Sequence, residues 1–255
     1  MLNSTTLDHA AGRSQVVYRT GDGPPVVWLH GLNGVEADEP IISRLAARHT
    51  VLAPLAPGFN DLDELLEIRD IHDLALHYDD LLDALELETA TLLGHSFGAM
   101  IAAELAAHSP RRVERLVLIS PLGLWSDAYP VTDVFAVPST EMPRLLYRTP
   151  PQSTNGVSTD VESVVTLVKG MTTVARFLWP IPDRGLARRL YRVRAPTLII
   201  HGADDAFVPA AYADDFVKAL PNARAEIIPG GAHMLPIEDA DAVEKAVRGF
   251  LEAHS

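Results

Sequence analysis

The pentapeptide Gly94-His95-Ser96-Phe97-Gly98 constrains the local fold of this chain more than any other segment. The apolar run before it, residues 90–93, is typical of a buried β-strand, whereas residues 99–107 are mostly strong helix formers. The backbone must therefore turn from a strand into a helix at Ser96. Such a turn forces its central residue to a positive φ angle and leaves room only for small residues two positions before and after it, where the glycines lie.

This turn also has a chemical consequence. It exposes the Ser96 hydroxyl, and the first N–H groups of the new helix point toward developing negative charge. Because a serine hydroxyl is a weak nucleophile near neutral pH, it needs a histidine base and a carboxylate that orients the base. Asp204 and Asp205 follow a later strand-like run, and His233 follows the next one. Since α/β sheets place their sites at the carboxyl ends of strands, the sequence predicts that these groups meet.

A glycine-bracketed loop, His30-Gly31-Leu32-Asn33-Gly34, follows the earliest apolar run, residues 26–29. Its backbone N–H groups can bind an anion because no large side chain stands in the way. Together with the serine turn and the chain order Ser, Asp, His, this loop resembles the α/β-hydrolase family. The resemblance implies that the backbone N–H groups of Leu32 and Phe97 form an oxyanion hole and that His30 is structural.

The resemblance covers nearly the whole chain and implies its fold and triad. The expected fold is α/β, a doubly wound, mostly parallel sheet with helices on both faces and a mainly helical lid insertion. Ser96 is the expected catalytic nucleophile, His233 its base and Asp205 the acid. Asp205 is preferred to Asp204 because it is in register with the family's Asp-x-x-Val-Pro motif.

Elsewhere, strand-like and helix-like segments alternate along most of the chain, which implies a parallel sheet covered on both faces. Residues 15–18 are predicted to form an edge strand, and residues 50–53 and 113–119 to form buried strands. Amphipathic helices are predicted at residues 70–87 and 237–253.

The alternation stops after Pro121. Residues 122–193 instead mix prolines with apolar and aromatic residues. Because a structureless loop of this length is uncommon, we interpret the segment as a lid (cap) inserted into a core domain of residues 1–121 and 194–255. The alternative interpretation is a long decorated crossover.

Three bulky residues of the expected lid are candidates for substrate binding: Trp125, Phe177 and Trp179. Each of them could equally hold the lid to the core domain. Three arginines could bind a substrate carboxylate or simply be solvated: Arg144, Arg148 and Arg176. Four more are interpreted as a basic face on a helix that leads back to the sheet: Arg188, Arg189, Arg192 and Arg194.

The composition of the chain limits the kinds of molecule that it is expected to bind. A net charge of −13 opposes binding to nucleic acid and to anionic membranes, and no apolar run is long enough to span a bilayer. No cysteine is present, which excludes disulfides and thiolate metal ligands, and no His-Glu-x-x-His motif occurs. We therefore expect a cytoplasmic protein with a small-molecule substrate, no cofactor, no metal site, and an oligomeric state that the sequence leaves open.

The predicted activity is that of a serine hydrolase, an esterase-like enzyme that cleaves a small to medium carboxylic ester through an acyl-enzyme. Within the family it resembles, a serine at the turn excludes the haloalkane dehalogenase and epoxide hydrolase chemistries, which use aspartate there. A C–C bond hydrolase acting on a vinylogous 1,5-diketone, a serine haloperoxidase-like enzyme and a non-catalytic ligand-binding member remain open alternatives. The sequence after His233 departs from the C–C hydrolase pattern, because Met234 stands where Trp is common.

Overall fold

The computed structural model describes residues 2–35, 39–150, 161–179 and 184–254. Within them the chain forms one eight-stranded β-sheet between two layers of helices. The strands are β1 (Asn3–His9), β2 (Arg13–Thr20), β3 (Pro25–Leu29), β4 (Thr50–Pro54), β5 (Ala90–His95), β6 (Val113–Ile119), β7 (Thr197–Gly202) and β8 (Ala223–Ile228).

Across the sheet the strands are ordered β1-β2-β4-β3-β5-β6-β7-β8. The pairs β1–β2 and β2–β4 are antiparallel, and the pairs from β4 to β8 are parallel. The predicted mostly parallel α/β sheet is thus confirmed. The strand predicted at residues 15–18 is present within β2, but its predicted edge position is wrong, because β1 pairs with the outer side of β2. The residues of β1 are mostly polar and exposed, so no apolar alternation marks this strand in the sequence.

Helices cover both faces of the sheet. They are α1 (Pro40–Leu45), α2 (Ile71–Ala84), α3 (Phe97–His108), α4 (Met142–Leu146), α5 (Val161–Leu178), α6 (Ala211–Ala219), α7 (Leu235–Glu238) and α8 (Ala240–Ala253). One apolar core contains residues of α1, α7 and α8, and the other contains residues of α2 to α6. Because side chains alternate along a strand, Val26 and Trp28 of β3 join the first core, whereas Val27 and Leu29 join the second.

Both predicted amphipathic helices are present with shorter bounds. The α2 helix begins where the Asp70 side chain accepts hydrogen bonds from the N–H groups of His72 at 2.9 Å and Asp73 at 3.0 Å, an N-cap. Near the C-terminus, α7 ends at Glu238 and α8 begins at Ala240, because Asp239 leaves the helical conformation with φ −127° and ψ 32°.

The insertion, residues 122–193 between β6 and β7, contains α4, α5 and two short 3₁₀ turns at Leu186–Arg188 and Leu190–Arg192. Its residues 151–160 and 180–183 lie outside the described part of the chain. The predicted basic helix near its end is wrong, since 3₁₀ turns occupy that place.

Two of the four arginines expected there bind the core instead of forming a solvated face. Arg189 donates to the carboxylate of buried Glu104 on α3 at 2.6 and 2.8 Å, and Arg192 Nε donates to the Ala107 carbonyl at 2.7 Å. The end of the insertion is therefore attached to α3, the helix that follows the serine turn.

Candidate active site

The serine turn joins β5 directly to α3. Ser96 has φ 56° and ψ −114°, a left-handed backbone that a side chain adopts only at a cost. A Cβ atom on Gly94 would lie 2.5 Å from the Gly98 carbonyl oxygen, and one on Gly98 would lie 2.0 Å from the Leu29 carbonyl oxygen. Both distances are far below a normal contact, so only glycine lets β5, α3 and β3 approach closely enough to make this turn.

Ser96, His233 and Asp205 form one continuous chain of hydrogen bonds. The Ser96 Oγ lies 2.9 Å from His233 Nε2, and His233 Nδ1 lies 2.8 Å from Asp205 Oδ2. Because an ionised carboxylate only accepts hydrogen bonds, Nδ1 carries the imidazole proton and donates a hydrogen bond to Asp205. The lone pair of Nε2 then faces the serine hydroxyl, which donates to it. This is the arrangement needed to remove a proton from the hydroxyl.

The Asp205 carboxylate is buried, but N–H groups of the protein donate hydrogen bonds to it. Its Oδ1 accepts from the backbone N–H groups of Phe207 at 3.0 Å and Val208 at 2.8 Å. Burial by itself raises the pKa of Asp205, but the charge of His233 and hydrogen bonds from His201 and His233 outweigh it and hold the pKa well below the usual range. The group is therefore an anion at neutral pH.

The neighbouring Asp204 is placed differently. Its side chain is exposed, and its backbone N–H donates to the Gly231 carbonyl at 2.9 Å. Of the two adjacent aspartates, the structure brings Asp205 to His233.

Two buried histidines that the sequence argument left without a role border the hydrogen-bonded chain. The ring of His95 lies 5.1 Å from that of His233, and His95 Nε2 lies 3.0 Å from the His233 carbonyl oxygen, to which it donates. Burial lowers the pKa of His95 to about 3, so its ring is neutral. His201, on β7, approaches Asp205 from the other side. The only sequence signal was position, since one precedes Ser96 directly and the other lies four residues before Asp205.

The glycine loop after β3 lies beside the serine. A Cβ atom on Gly31 would lie 3.4 Å from the Ser96 Cβ. Phe97 is the first residue of α3, so the helix offers no acceptor for its N–H group. In the described part of the chain, the Leu32 N–H has no backbone acceptor either.

His30 is turned away from Ser96. The Ala56 N–H donates to His30 Nε2 at 2.8 Å, so the imidazole proton is on Nδ1, which donates to the Gly31 carbonyl at 2.7 Å. Burial lowers the pKa of His30 to about 4. This ring joins the glycine loop to the segment after β4.

The three bulky residues expected to bind substrate lie in different surroundings. Phe177 on α5 is fully buried and stacks on Phe97 with ring centroids 6.1 Å apart. Trp125 is partly buried and donates from Nε1 to Asp127 at 2.8 Å. Trp179 is 51% exposed and contacts Phe135 edge to face. Phe177 therefore contacts the residue that follows Ser96.

The arginines expected to bind a carboxylate donate to groups of the protein. Arg144 pairs with Glu141 at 3.3 Å, Arg148 pairs with Asp239 at 3.2 Å, and Arg176 Nε donates to the Ile68 carbonyl at 2.8 Å. These contacts attach the insertion to itself and to the core.

The insertion also contacts the loops of the site. The Met234 N–H, next to His233, donates to the Leu146 carbonyl of α4 at 3.1 Å. On α5, a Cβ atom on Gly170 would lie 2.5 Å from the Leu32 carbonyl oxygen. Helix α4 therefore touches the histidine loop and α5 touches the glycine loop. The Ser96 side chain beneath them is only 4% exposed.

Among the described residues, no three His, Asp or Glu side chains are arranged to hold a metal ion. No helix in the same part of the chain combines the length and apolar character that crossing a membrane requires.

Comparison with known proteins places this geometry in context. A model of the alpha/beta hydrolase family matches residues 26–246. The chain is 30% identical over 262 residues to 2-hydroxymuconate semialdehyde hydrolase from Pseudomonas sp. strain CF600, covering 95% of this chain and 92% of that protein. It is 28% identical over 275 residues to polyketide synthase ThaQ from Burkholderia thailandensis, covering 98% of this chain but only 13% of that protein.

Solved structures show the same architecture. The crystal structure of carboxylesterase CesB from Bacillus subtilis matches with a TM-score of 0.76 and 22% identity, covering 98% of this chain and 92% of that chain. At this identity the likeness concerns the fold.

Proposed function

Since the chain belongs to the alpha/beta hydrolase family, we propose that it is a serine hydrolase that cleaves a small to medium carboxylic ester with an apolar portion. The observation that carries the proposal is the hydrogen-bonded chain from the Ser96 hydroxyl through His233 to Asp205. A strained, glycine-flanked serine at the start of a helix adds to it. Together these features supply a nucleophile, a base and a fixed anion.

In the proposed mechanism, Ser96 Oγ attacks the ester carbonyl while His233 Nε2 takes the hydroxyl proton. Asp205 holds the imidazole in the required tautomer and stabilises the imidazolium. The backbone N–H groups of Leu32 and Phe97 bind the oxyanion of the tetrahedral intermediate. The imidazolium then protonates the leaving alcohol, and water deacylates the enzyme by the same steps.

We further propose that the insertion acts as a lid that selects the apolar portion of the substrate. In support, α4 and α5 contact the histidine and glycine loops, and the serine beneath is nearly inaccessible. The core domain of residues 1–121 and 194–255 would then supply the chemistry, and residues 122–193 the substrate preference.

A second candidate function is C–C bond hydrolysis, favoured by the 30% identical relative. The substrate in that relative's name contains no ester or amide, so its hydrolysis breaks a carbon–carbon bond, and it carries a carboxylate. A cation near the serine, above all an arginine, would suit such a substrate.

Three arginines of the insertion favour the ester instead. Residues 151–160 and 180–183, outside the described part, contain no Lys or Arg. Each of Arg144, Arg148 and Arg176 donates to a protein group. The engagement of these three side chains supports an uncharged ester.

Two assays separate the candidates. A fluorophosphonate probe should label Ser96 rapidly, and failure of the folded protein to react would support a non-catalytic binder. p-Nitrophenyl esters of increasing acyl length, assayed beside a vinylogous 1,5-diketone, identify the reaction. Rapid turnover of the esters with an inert diketone is the expected result, and rapid diketone cleavage with inert esters would establish the C–C hydrolase.

A further inference from the structure

We propose that His201 is a positioning residue, a fourth group behind Ser96, His233 and Asp205 that acts through the Asp205 carboxylate and never touches substrate. The proposal rests on the proposed hydrolase function and extends it. It assigns a role to a fully buried, titratable side chain that the mechanism otherwise leaves unused.

His201 lies at the carboxyl end of β7, and its Nε2 reaches both ends of the aspartate loop. The nitrogen is 2.8 Å from the Val208 carbonyl oxygen and 3.4 Å from Asp205 Oδ2. Because a carbonyl oxygen only accepts, Nε2 carries the imidazole proton. The N–H group therefore donates to a backbone carbonyl and also makes a longer polar contact with the catalytic carboxylate. Nδ1 is buried and has no partner in the described part of the chain.

With this contact, polar N–H groups lie against both oxygens of the carboxylate. Asp205 Oδ1 is held by the N–H groups of Phe207 and Val208, while Oδ2 lies between His201 and His233. Without the His201 N–H, the position of Oδ2 would depend on the base alone. If His233 were the only group that holds Oδ2 in place, both side chains could move, and the fixed geometry on which proton transfer depends would be lost.

His201 also sets how strongly Oδ2 attracts the proton on His233. The titratable groups that face Asp205 in the described residues are His201 on β7, His233 before α7 and the neutral ring of His95 on β5. Asp204 on the same loop is exposed. Without the His201 donor, the negative charge of Oδ2 interacts more strongly with His233 and stabilises the imidazolium. The base then becomes protonated at a higher pH, where it is unable to accept the serine proton.

The test compares three replacements of the ring by the pH dependence of fluorophosphonate inactivation between pH 5 and 9. His201→Leu removes the donor, His201→Gln keeps an N–H donor at the reach of Nε2, and His201→Asn has an amide too short to reach Oδ2. For His201→Leu we expect inactivation to slow by roughly tenfold at pH 8, with the acid limb moved upward by about half a pH unit. The inactivation rate of His201→Leu is then reduced more at pH 6 than at pH 9, and His201→Gln should restore the acid limb of the wild-type profile.

A matched control is His77→Leu. His77 is also buried, but its Nε2 donates to the neutral Gln15 side chain at 2.6 Å. Its removal should lower the melting temperature without changing the inactivation rate or its pH dependence. If His201→Leu fails to fold, His201→Asn takes its place: we expect the acid limb to move upward in His201→Asn and not in His201→Gln.

A folded His201→Leu or His201→Asn protein whose defect is equal at pH 6 and pH 9, with an unmoved acid limb, would overturn the proposal and leave a packing role. The probe contains no carboxylic ester, so the two proposals fail separately. Wild-type protein that reacts with the probe but hydrolyses no ester contradicts the proposed function alone. Wild-type protein that does not react at all contradicts both.

Discussion

The carboxyl edge of the sheet and the insertion above it are held by different kinds of interaction. At the sheet edge, Ser96, His233 and Asp205 bond to one another at 2.8–2.9 Å and lie directly at the ends of strands. The insertion is attached by long-range contacts to several loops, such as those of Arg148 with Asp239 and Arg176 with the Ile68 carbonyl. The edge therefore has one geometry, fixed by direct hydrogen bonds between its functional groups, whereas the insertion's geometry depends on how its helices dock.

Under the proposed function, we expect the sheet edge to supply the chemistry and the insertion to set the substrate preference. Changes at the sheet edge should reduce the rate for every substrate alike. Changes in the insertion should act unequally on large and small esters, except where α5 touches the glycine loop.

The largest effect is expected at the serine. Ser96→Ala removes the nucleophile and should lower kcat by roughly 10⁶-fold, leaving only the acceleration that the oxyanion hole and binding provide. Circular dichroism should show an unchanged fold, and purified variant protein assayed with a p-nitrophenyl ester gives the rate. Substantial turnover by this variant would remove Ser96 from the mechanism.

The second effect separates the adjacent aspartates. Asp205→Asn should lower kcat by about 10⁴-fold, because an amide cannot stabilise the imidazolium and favours the wrong tautomer. Asp204→Asn is the matched control and should retain nearly full activity, since its side chain is exposed. The reverse order of the two defects would move the acid to Asp204.

The third effect tests the contact between the two regions. Gly170→Ala places a methyl group 2.5 Å from the Leu32 carbonyl oxygen, so α5 or the glycine loop must move. We expect kcat to fall roughly 10- to 100-fold for short and long esters alike. Gly249→Ala on α8, where a Cβ atom meets nothing within 4 Å, is the control and should keep full activity. Equal activity of the two variants would show that the contact between α5 and the glycine loop does not affect the oxyanion site.

The fourth effect is confined to substrate preference. Trp125→Ala, Phe177→Ala and Trp179→Ala should each change the ratio of long-chain to acetate kcat/KM, by up to about tenfold, because lost apolar contact is worth about 25 cal/mol per Å². Phe177→Ala should act most strongly, since its ring stacks on Phe97. If none of the three changes the ratio while a core-domain substitution does, the insertion is only a cover.

The smallest effect concerns stability at acid pH. Interactions with His233 and His201 outweigh burial and lower the pKa of folded Asp205 below the unfolded value of about 3.9. The carboxylate therefore stabilises the fold above that value, and this contribution is lost as the pH falls below it. Urea titrations at pH 6 and pH 3.5 should show a smaller loss of unfolding free energy in Asp205→Asn than in the wild type. Identical losses would contradict the lowered pKa.

The residues that could be predicted from the sequence are those whose requirements are local. The glycines around Ser96 and the strand-end positions of Asp205 and His233 follow from short patterns, and the structure brings the three side chains together. Edge strand β1 pairs with β2 in a local hairpin, but its residues are mostly polar and exposed, so no apolar alternation predicts it. The role of His95 and the burial of Glu104 against Arg189 depend on atoms far away in the chain. His201 contacts residues close in sequence, Asp205 and Val208, but only the conformation of the loop after β7 brings them together.

The most direct test of the central claim is to trap the acyl-enzyme. Wild-type protein mixed rapidly with p-nitrophenyl acetate and quenched in acid should gain one acetyl group by intact-mass spectrometry, and peptide mapping should place it on Ser96. His233→Ala should show no adduct on this timescale. An acetyl group on any residue other than Ser96, or ester turnover without any covalent adduct in a burst-phase experiment, would contradict the account.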